Sequence, residues 1–273
     1  MYFTKMQGNG NDFIVIEDLN DVYLNREKEL AIKLCDRHFG IGGDGLLLVR
    51  KSNISQVQMV IINADGSYAS MCGNGIRCFA KYVYDKGIVK DKTMKIETGD
   101  GIKEATLDIE ENKVKNITIS MGNSSFNPKD IPANSKNEII KETIEVEGNT
   151  YEITSMLMGV PHTVIFGKLD SFHILEGSLI ERYELFPKGT NVNFCEIVNK
   201  DKIKVKTWER GAGPTLACGT GSCASVIAAN KLGLINSKAE VELPGGILYI
   251  EITHAGVLMT GPAEVVFSGE III

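Results

Sequence analysis

The sequence predicts an α/β protein of two pseudo-symmetric domains, each a curved, mostly antiparallel sheet around a central helix. Three observations carry this. First, Cys72-Gly-Asn-Gly-Ile-Arg-Cys78 and Cys218-Gly-Thr-Gly-Ser-Cys223 both begin Cys-Gly-x-Gly and run into helical stretches. Each stretch ends at a glycine fifteen residues after its first cysteine, Gly87 and Gly233. Second, the flanks repeat in the same order. Asn63-Ala-Asp-Gly starts nine residues before Cys72, and Glu209-Arg-Gly-Ala-Gly starts nine before Cys218. Downstream, the segment Ile96 to Ile102 lines up with Val241 to Ile247 at nearly the same offset. Third, strand-like segments outnumber helical ones, and many connections read as hairpins. This is duplication of a domain, not a short-period solenoid.

Taken in order, Phe13 to Ile16 and Leu46 to Val49 read as strands, and Glu27 to Phe39 as a helix closed by Gly40. Val57 to Ile62 alternates weakly and reads as a strand. Arg77 to Asp85 continues the first Cys-Gly-x-Gly into a helix. Met121 to Asn137, rich in Asn, Ser and Pro, marks a domain boundary. The alternating segment from Ile144 to Thr154 crosses a Gly-Asn pair, a hairpin signature. Glu176 to Phe186 reads as a helix of the second half. The tail Val265 to Ile273 is strand-like and suited to returning to the first half. The expected domains are residues 1–120 plus 264–273, carrying Cys72, and 121–263, carrying Cys218.

A chain of 273 residues has room for two domains at about 150 residues each. Its composition, 43% hydrophobic and 23% charged, is that of a soluble globular protein. The net charge is −6 and no basic cluster occurs, so nucleic acid is not an expected partner. No apolar run approaches the roughly 20 residues of a membrane span, and the N-terminus lacks the apolar region of a signal peptide. The expectation is a cytoplasmic protein acting on a small molecule, with a homodimer as the assembly considered. Its six cysteines are then reduced thiols. With no CxxC and four scattered histidines, no metal site is expected.

Gly40-Ile-Gly-Gly-Asp-Gly45 matches the GxGxxG pattern. A dinucleotide fingerprint needs a strand before it and a helix after it. Here the order is reversed, which reads as a helix-to-strand turn. The two Cys-Gly-x-Gly segments say more. Glycine costs about 1 kcal/mol in a helix interior relative to alanine, so paired glycines need a reason. A helix N-terminus leaves backbone N–H groups without partners and carries a partial positive charge. Glycines let a carboxylate or phosphate approach that backbone. A cysteine there has its thiolate stabilised, so its pKa can fall from about 8.5 toward neutrality.

Two such sites in a pseudo-symmetric protein suggest a paired function. If the halves face each other, one thiolate removes a proton from a carbon and the other thiol delivers one to its far side. That inverts a stereocentre, while the helix starts stabilise the charge growing on the adjoining carboxylate. Cys35, Cys78, Cys195 and Cys223 read instead as small core hydrophobes.

These residues closely resemble the diaminopimelate epimerase family, racemases that work without pyridoxal phosphate. The resemblance spans most of the chain. It includes Gly8-Asn-Gly-Asn-Asp-Phe13, Asn63-Ala-Asp-Gly-Ser67, Pro161-His162, Thr190-Asn191-Val192 and both cysteine motifs. It implies two similar α/β domains, no cofactor, and Cys72 and Cys218 as acid and base. It implies that Asn11, Asn63, Asn191, Glu209 and Arg210 hold the substrate's polar groups. Backbone N–H groups of Gly73, Asn74, Gly219 and Thr220 hold the reacting carboxylate. The family's usual Gly-Asn-Pro-His is here Gly159-Val-Pro-His162, and that asparagine normally helps bind the distal carboxylate. Pro214 and Tyr68 also depart from the usual pattern. Val160, Tyr68 and Gly45 are therefore the candidates for substrate specificity. LL- and meso-diaminopimelate come first as substrates. A racemase acting on another amino acid, such as histidine, is the alternative, and a non-catalytic amino-acid-binding protein a third.

Overall fold

The structure, a computed structural model, describes residues 1–272 and divides into two compact units. Met1–Ser120 together with the segment from Thr260 onward form one, and Met121–Met259 the other. In the first unit, β1 (Tyr2–Gly8) and β2 (Asn11–Glu17) form a hairpin. Its two-residue turn, Asn9-Gly10, has φ of 55° and 82°, the left-handed pair that an Asn-Gly turn favours. α1 (Glu27–Cys35) then crosses to β3 (Gly45–Arg50), parallel to β2. β4 (Val57–Asn63) is antiparallel to β3 and carries the short β5 (Tyr68–Ala69). α2 (Gly73–Asp85) crosses to β6 (Thr93–Thr98), parallel to β4, and β7 (Gly101–Glu110) and β8 (Lys113–Gly122) follow antiparallel.

Helices on either side explain why Leu46, Leu47, Leu48 and Val49 of β3 are all fully buried. Leu30 and Leu34 of α1 pack with Ile14, Ile16, Leu46, Leu48 and Ile62 on one face. Leu47 points the other way, beneath the first turn of α2. Each such burial contributes about 1.5–3 kcal/mol.

The second unit repeats this order. β9 (Glu142–Val146) leads into β10 (Asn149–Met158), which forms a hairpin with β11 (Val160–Phe166). The short α3 (Gly177–Glu181) precedes β12 (Asn191–Asn199), parallel to β11. β13 (Lys202–Glu209) is antiparallel to β12 and carries the short β14 (Gly213–Thr215). α4 (Gly219–Lys231) crosses to β15 (Lys238–Leu243), parallel to β13. β16 (Gly246–Thr253) pairs antiparallel with β15, and β17 (Gly256–Gly261) comes next. α4 packs across β10, β11, β12, β13, β15 and β16, as α2 packs across β1, β2, β3, β4 and β7. The duplication read from the cysteine motifs is thus a duplication of topology. Finally β18 (Glu264–Glu270) returns to pair with β1 of the first unit, Tyr2 opposite Glu270. The tail's last residue, Ile273, lies outside the described residues.

Several expectations are corrected. The first helix stops at Cys35 rather than Phe39. The Asp36 carboxylate accepts from the backbone N–H groups of His38 and Phe39, both at 2.7 Å, and this turn outcompetes a further helical turn. The helix expected over Glu176 to Phe186 shrinks to the five residues of α3, after a 3₁₀ turn at Ile174–Glu176. Gly177 opens α3 because a Cβ there would overlap Trp208. The β9–β10 turn is Glu147-Gly148, one residue earlier than the Gly-Asn pair suggests, with both φ positive at 48° and 83°. No helix among the described residues is long and apolar enough to cross a membrane.

Candidate active site

Strand registers convert the repeat into residue pairs. Asn11 and Val160 are the first residues of β2 and β11. Gly45 and Asn191 open β3 and β12, opposite Phe13 and His162 respectively. Asn63 and Glu209 end β4 and β13. Tyr68 faces Ile62 from β5 as Pro214 faces Trp208 from β14. Cys72 and Cys218 are the N-caps of α2 and α4, followed by Gly73-Asn74-Gly75 and Gly219-Thr220-Gly221. Almost every candidate from the sequence therefore falls at the same few places in both units: strand ends and the start of the crossover helix.

The caps have one geometry. Cys72 and Cys218 are both extended in backbone. Each sulfur accepts the N–H three residues on, from Gly75 or Gly221, at 3.4 Å. A thiol occupies the role that Ser, Thr, Asp or Asn usually fills. A negative sulfur at this place would face N–H groups of the first turn and the positive end of the helix.

Around that shared geometry the surroundings differ. The Cys72 thiol donates to Asn11 Oδ1 at 3.6 Å, and Asn74 Nδ2 donates to the same oxygen at 3.3 Å. Arg77, fully buried in α2, donates to Asn9 Oδ1 at 2.6 Å, to Gly73 O at 3.2 Å and to Pro262 O at 3.1 Å. It ties the first turn of α2 to the β1–β2 turn and to the chain entering β18. Cys218 is more buried than Cys72. Burial and then the Glu209 carboxylate push its thiol well up, against hydrogen bonds from Thr220 and Gly221 that pull it down. The lowered pKa expected from the helix start alone is therefore not what this thiol has in the free protein. Desolvation and a like charge outweigh the dipole.

The floors under the two helices also differ. A Cβ placed on Gly75 would meet Cys72 Cβ and Phe13 Cζ at 3.4 Å and Leu47 Cδ2 at 3.5 Å, ordinary contact with apolar groups. A Cβ on Gly221 would overlap Asn193 Oδ1 and stand 3.2 Å from Thr207 Oγ1. Thr207 donates to Asn193 Oδ1 at 3.0 Å, and Asn193 Nδ2 stands 3.2 Å from His162 Nδ1. His162 is fully buried, and burial followed by the Arg210 cation brings its pKa down to about 3, so the ring is neutral. Glycine at 221 thus serves packing, which the sequence alone did not reveal.

The other candidates are held as follows. Asn11 Nδ2 donates to Asp44 Oδ2 at 2.6 Å. Asn63 Nδ2 donates to Ser67 Oγ at 2.9 Å. Asn191 Oδ1 accepts the Arg210 backbone N–H at 2.8 Å, and Thr215 Oγ1 donates to Glu209 Oε1 at 2.6 Å. The Arg210 guanidinium donates to Lys188 O at 2.7 Å. Val160 is partly exposed beside Gly159, whose φ is 71° and which lies against Thr220. Tyr68 is exposed, with its hydroxyl bonded to Glu27 of α1. Asp44, Arg77 and the Asn193–Thr207 pair were not singled out from the sequence. Asp44 lies inside the GxGxxG pattern set aside as a turn. All six cysteines are free. Cys35 and Cys78 have thiols pushed up to about 12, chiefly by burial, as inert core residues do. No group of three or more His, Cys, Asp or Glu able to hold a metal occurs among the described residues.

The sequence profile of the family described as Diaminopimelate epimerase matches residues 3–127 and 154–266. The chain is 58% identical over 269 residues to a protein of Clostridium perfringens named diaminopimelate epimerase, covering 98% of both chains. It is 47% identical over 271 residues to one of the same name from Alkaliphilus metalliredigens, covering 98% of this chain and 96% of that one. Among solved structures it resembles a probable proline racemase from Agrobacterium radiobacter, with a TM-score of 0.72 at 15% identity, over 100% of this chain and 93% of that one. At that identity the likeness speaks for the fold alone.

Proposed function

The chain belongs to the diaminopimelate epimerase family, its reaction is the interconversion of LL- and meso-diaminopimelate, and we propose that Cys72 and Cys218 carry the inversion as alternating base and acid. The observation that supports these roles is the thiol cap: each unit presents one cysteine as the N-cap of its crossover helix, at an equivalent place in a repeated fold. Inversion needs a proton taken from one face of the α-carbon and another given to the opposite face. Two thiols meet that need, and reversal only exchanges their protonation states.

The α-proton of an amino acid is weakly acidic, so charge that develops on the carboxylate must be stabilised as the proton leaves. Backbone N–H groups of Gly73, Asn74, Gly219 and Thr220 are the donors we assign to it, pre-oriented by the helices. Glu209 is suited to the substrate ammonium group. Burial and then the Glu209 charge hold the Cys218 thiol protonated in the free protein, and an ammonium paired with Glu209 would relieve the second of these. Asn63, Asn191 and Arg210 serve the distal amino-acid end. Val160, the counterpart of Asn11, and Gly45, the counterpart of Asn191, shape the fit to that end together with Tyr68.

Deuterium exchange tests the assignment. Enzyme under reducing conditions in D₂O incorporates α-deuterium into diaminopimelate, followed by NMR. Cys72→Ala and Cys218→Ala each lower epimerisation by about 10²-fold or more, the scale of a lost general acid or base. Full epimerisation by either variant would remove that cysteine from the mechanism. Binding without any exchange by the parent chain would mark a binding protein instead.

A further inference from the structure

Asn11 has an amide that could face either way, and its neighbours decide which. Asp44 Oδ2 accepts from Asn11 Nδ2 at 2.6 Å and from the Asp12 backbone N–H at 3.0 Å, while Asp44 Oδ1 accepts from Arg37 Nη2 at 2.8 Å. An ionised carboxylate only accepts hydrogen bonds, so the Asn11 NH₂ must point at Asp44. The Asn11 oxygen then points the other way, at the Cys72 thiol and Asn74 Nδ2.

Asp44 itself is fixed from both sides. Its N–H donates to Asp12 O at 2.8 Å, and its carbonyl accepts from Ala64 N–H at 3.2 Å. Arg37 bridges it to Asp12, at 2.8 Å and 2.7 Å. Lys5 pairs with Asp12 at 2.6 Å and donates to Gly42 O in the same loop. The glycine-rich segment of residues 40–45 holds one carboxylate against Asn11.

The second unit lacks this arrangement. The counterpart of Asn11 is Val160, and the residue preceding Asn191, as Asp44 precedes Gly45, is the buried Thr190. Thr190 bonds to Thr163 instead. Only the Cys72 thiol is therefore served by an amide locked through a carboxylate.

We propose that Asp44 is a positioning residue for the Cys72 thiol, acting through Asn11, whose oxygen it holds toward the sulfur. The proposal rests on the reading of Cys72 as a proton-transferring group. An acceptor aimed at the sulfur favours the protonated thiol and fixes the direction of its S–H bond. The charged groups that face Cys72 include Arg77 from α2, bonded to Gly73 O, and, behind Asn11, Asp12 from β2, Asp44 and Arg37 from the loop, and Lys5 from β1.

Asp44→Asn tests this at nearly constant volume. An asparagine there has one oxygen, for which Arg37 competes with the Asn11 NH₂ and the Asp12 N–H, so residue 44 no longer obliges Asn11 to point its NH₂ at it. A population with the Asn11 NH₂ at the sulfur then appears. The expected results are a fall in kcat of roughly tenfold and alkylation of Cys72 by iodoacetamide about tenfold faster at neutral pH, through a stabilised thiolate. Alkylation of Cys218, quantified in the same digest by mass spectrometry, stays unchanged. Arg37→Gln, which keeps the Asp44 carboxylate, moves both readouts in the same direction by less and serves if Asp44→Asn folds poorly. An unchanged Cys72 alkylation profile overturns the proposal. So does an equal rise at both cysteines, the mark of general loosening. The Cys72→Ala control separates the two readings: full turnover there removes Cys72 from catalysis, whereas the alkylation profile reports the link through Asn11 in either case.

Discussion

Gly75 and Gly221 hold the same position in the two copies of one helix start, yet alanine has opposite consequences at the two. At Gly75 an added methyl meets three carbons at 3.4–3.5 Å, distances that ordinary packing accepts. Replacing a helical glycine by alanine gains up to about 1 kcal/mol, so Gly75→Ala is neutral or stabilising by that much. At Gly221 the methyl overlaps Asn193 Oδ1. Overpacking costs about 1–3 kcal/mol, and each buried hydrogen bond that Asn193 then loses costs about 1 kcal/mol more. After the helical gain, Gly221→Ala is destabilising by about 2 kcal/mol. Calorimetry measures both variants on one scale, and urea unfolding followed by the single tryptophan, Trp208, reads the second unit. In an Asn193→Ala background, the added cost of Gly221→Ala should shrink, because the obstructing oxygen is gone. Equal effects of alanine at 75 and 221 would refute the claim that their floors differ, and so would an undiminished cost in the Asn193→Ala background.

Two further predictions concern charge. Arg210→Lys removes the planar fork that donates to Lys188 O, and KM for diaminopimelate rises roughly tenfold or more, seen in steady-state kinetics; an unchanged KM would take Arg210 out of substrate binding. Acid affects the two units in different windows. His162 is neutral when folded, down to about pH 3, but accepts a proton at about 6.5 when unfolded, so the unfolded state binds more protons between those values. Stability of the second unit falls as pH drops below about 6.5, and His162→Gln flattens that slope in urea midpoints read from Trp208. Asp12 behaves otherwise: burial raises its pKa, but hydrogen bonds from Arg37 and Lys5 bring it to about 2 from 3.8. Its contribution is present above about pH 4 and is lost only as pH falls toward 2. A Trp208 midpoint that stays flat from pH 6.5 to 4.5 would contradict the assignment of His162.

The duplication was legible because both units kept Cys-Gly-x-Gly at a helix start, where backbone geometry demands small residues and a capping group. Strands such as β3 were legible because burial on both faces leaves a plain apolar run. What escaped was decided by side chains distant in sequence. The end of α1 depends on a local choice by Asp36 that helical periodicity does not register. The elevated Cys218 pKa depends on burial and then on Glu209, nine residues upstream and brought close by folding. Asp44 was hidden in a Gly-rich pattern that reads as a turn between α1 and β3. Val160 stood out as a departure, but its equivalence to Asn11 became visible only from strand register.

The return of β18 to β1 has a consequence for the chain as it is made. On the ribosome, β1 appears first and pairs with β2, while its other edge stays open until residues 264–270 emerge. The whole second unit, Met121–Met259, is synthesised in between. At about 5–20 residues per second, that edge waits on the order of ten seconds. An open strand edge invites pairing with other chains. The second unit, contiguous in sequence, can complete its fold during that interval. The unit that carries Cys72 begins first and closes last.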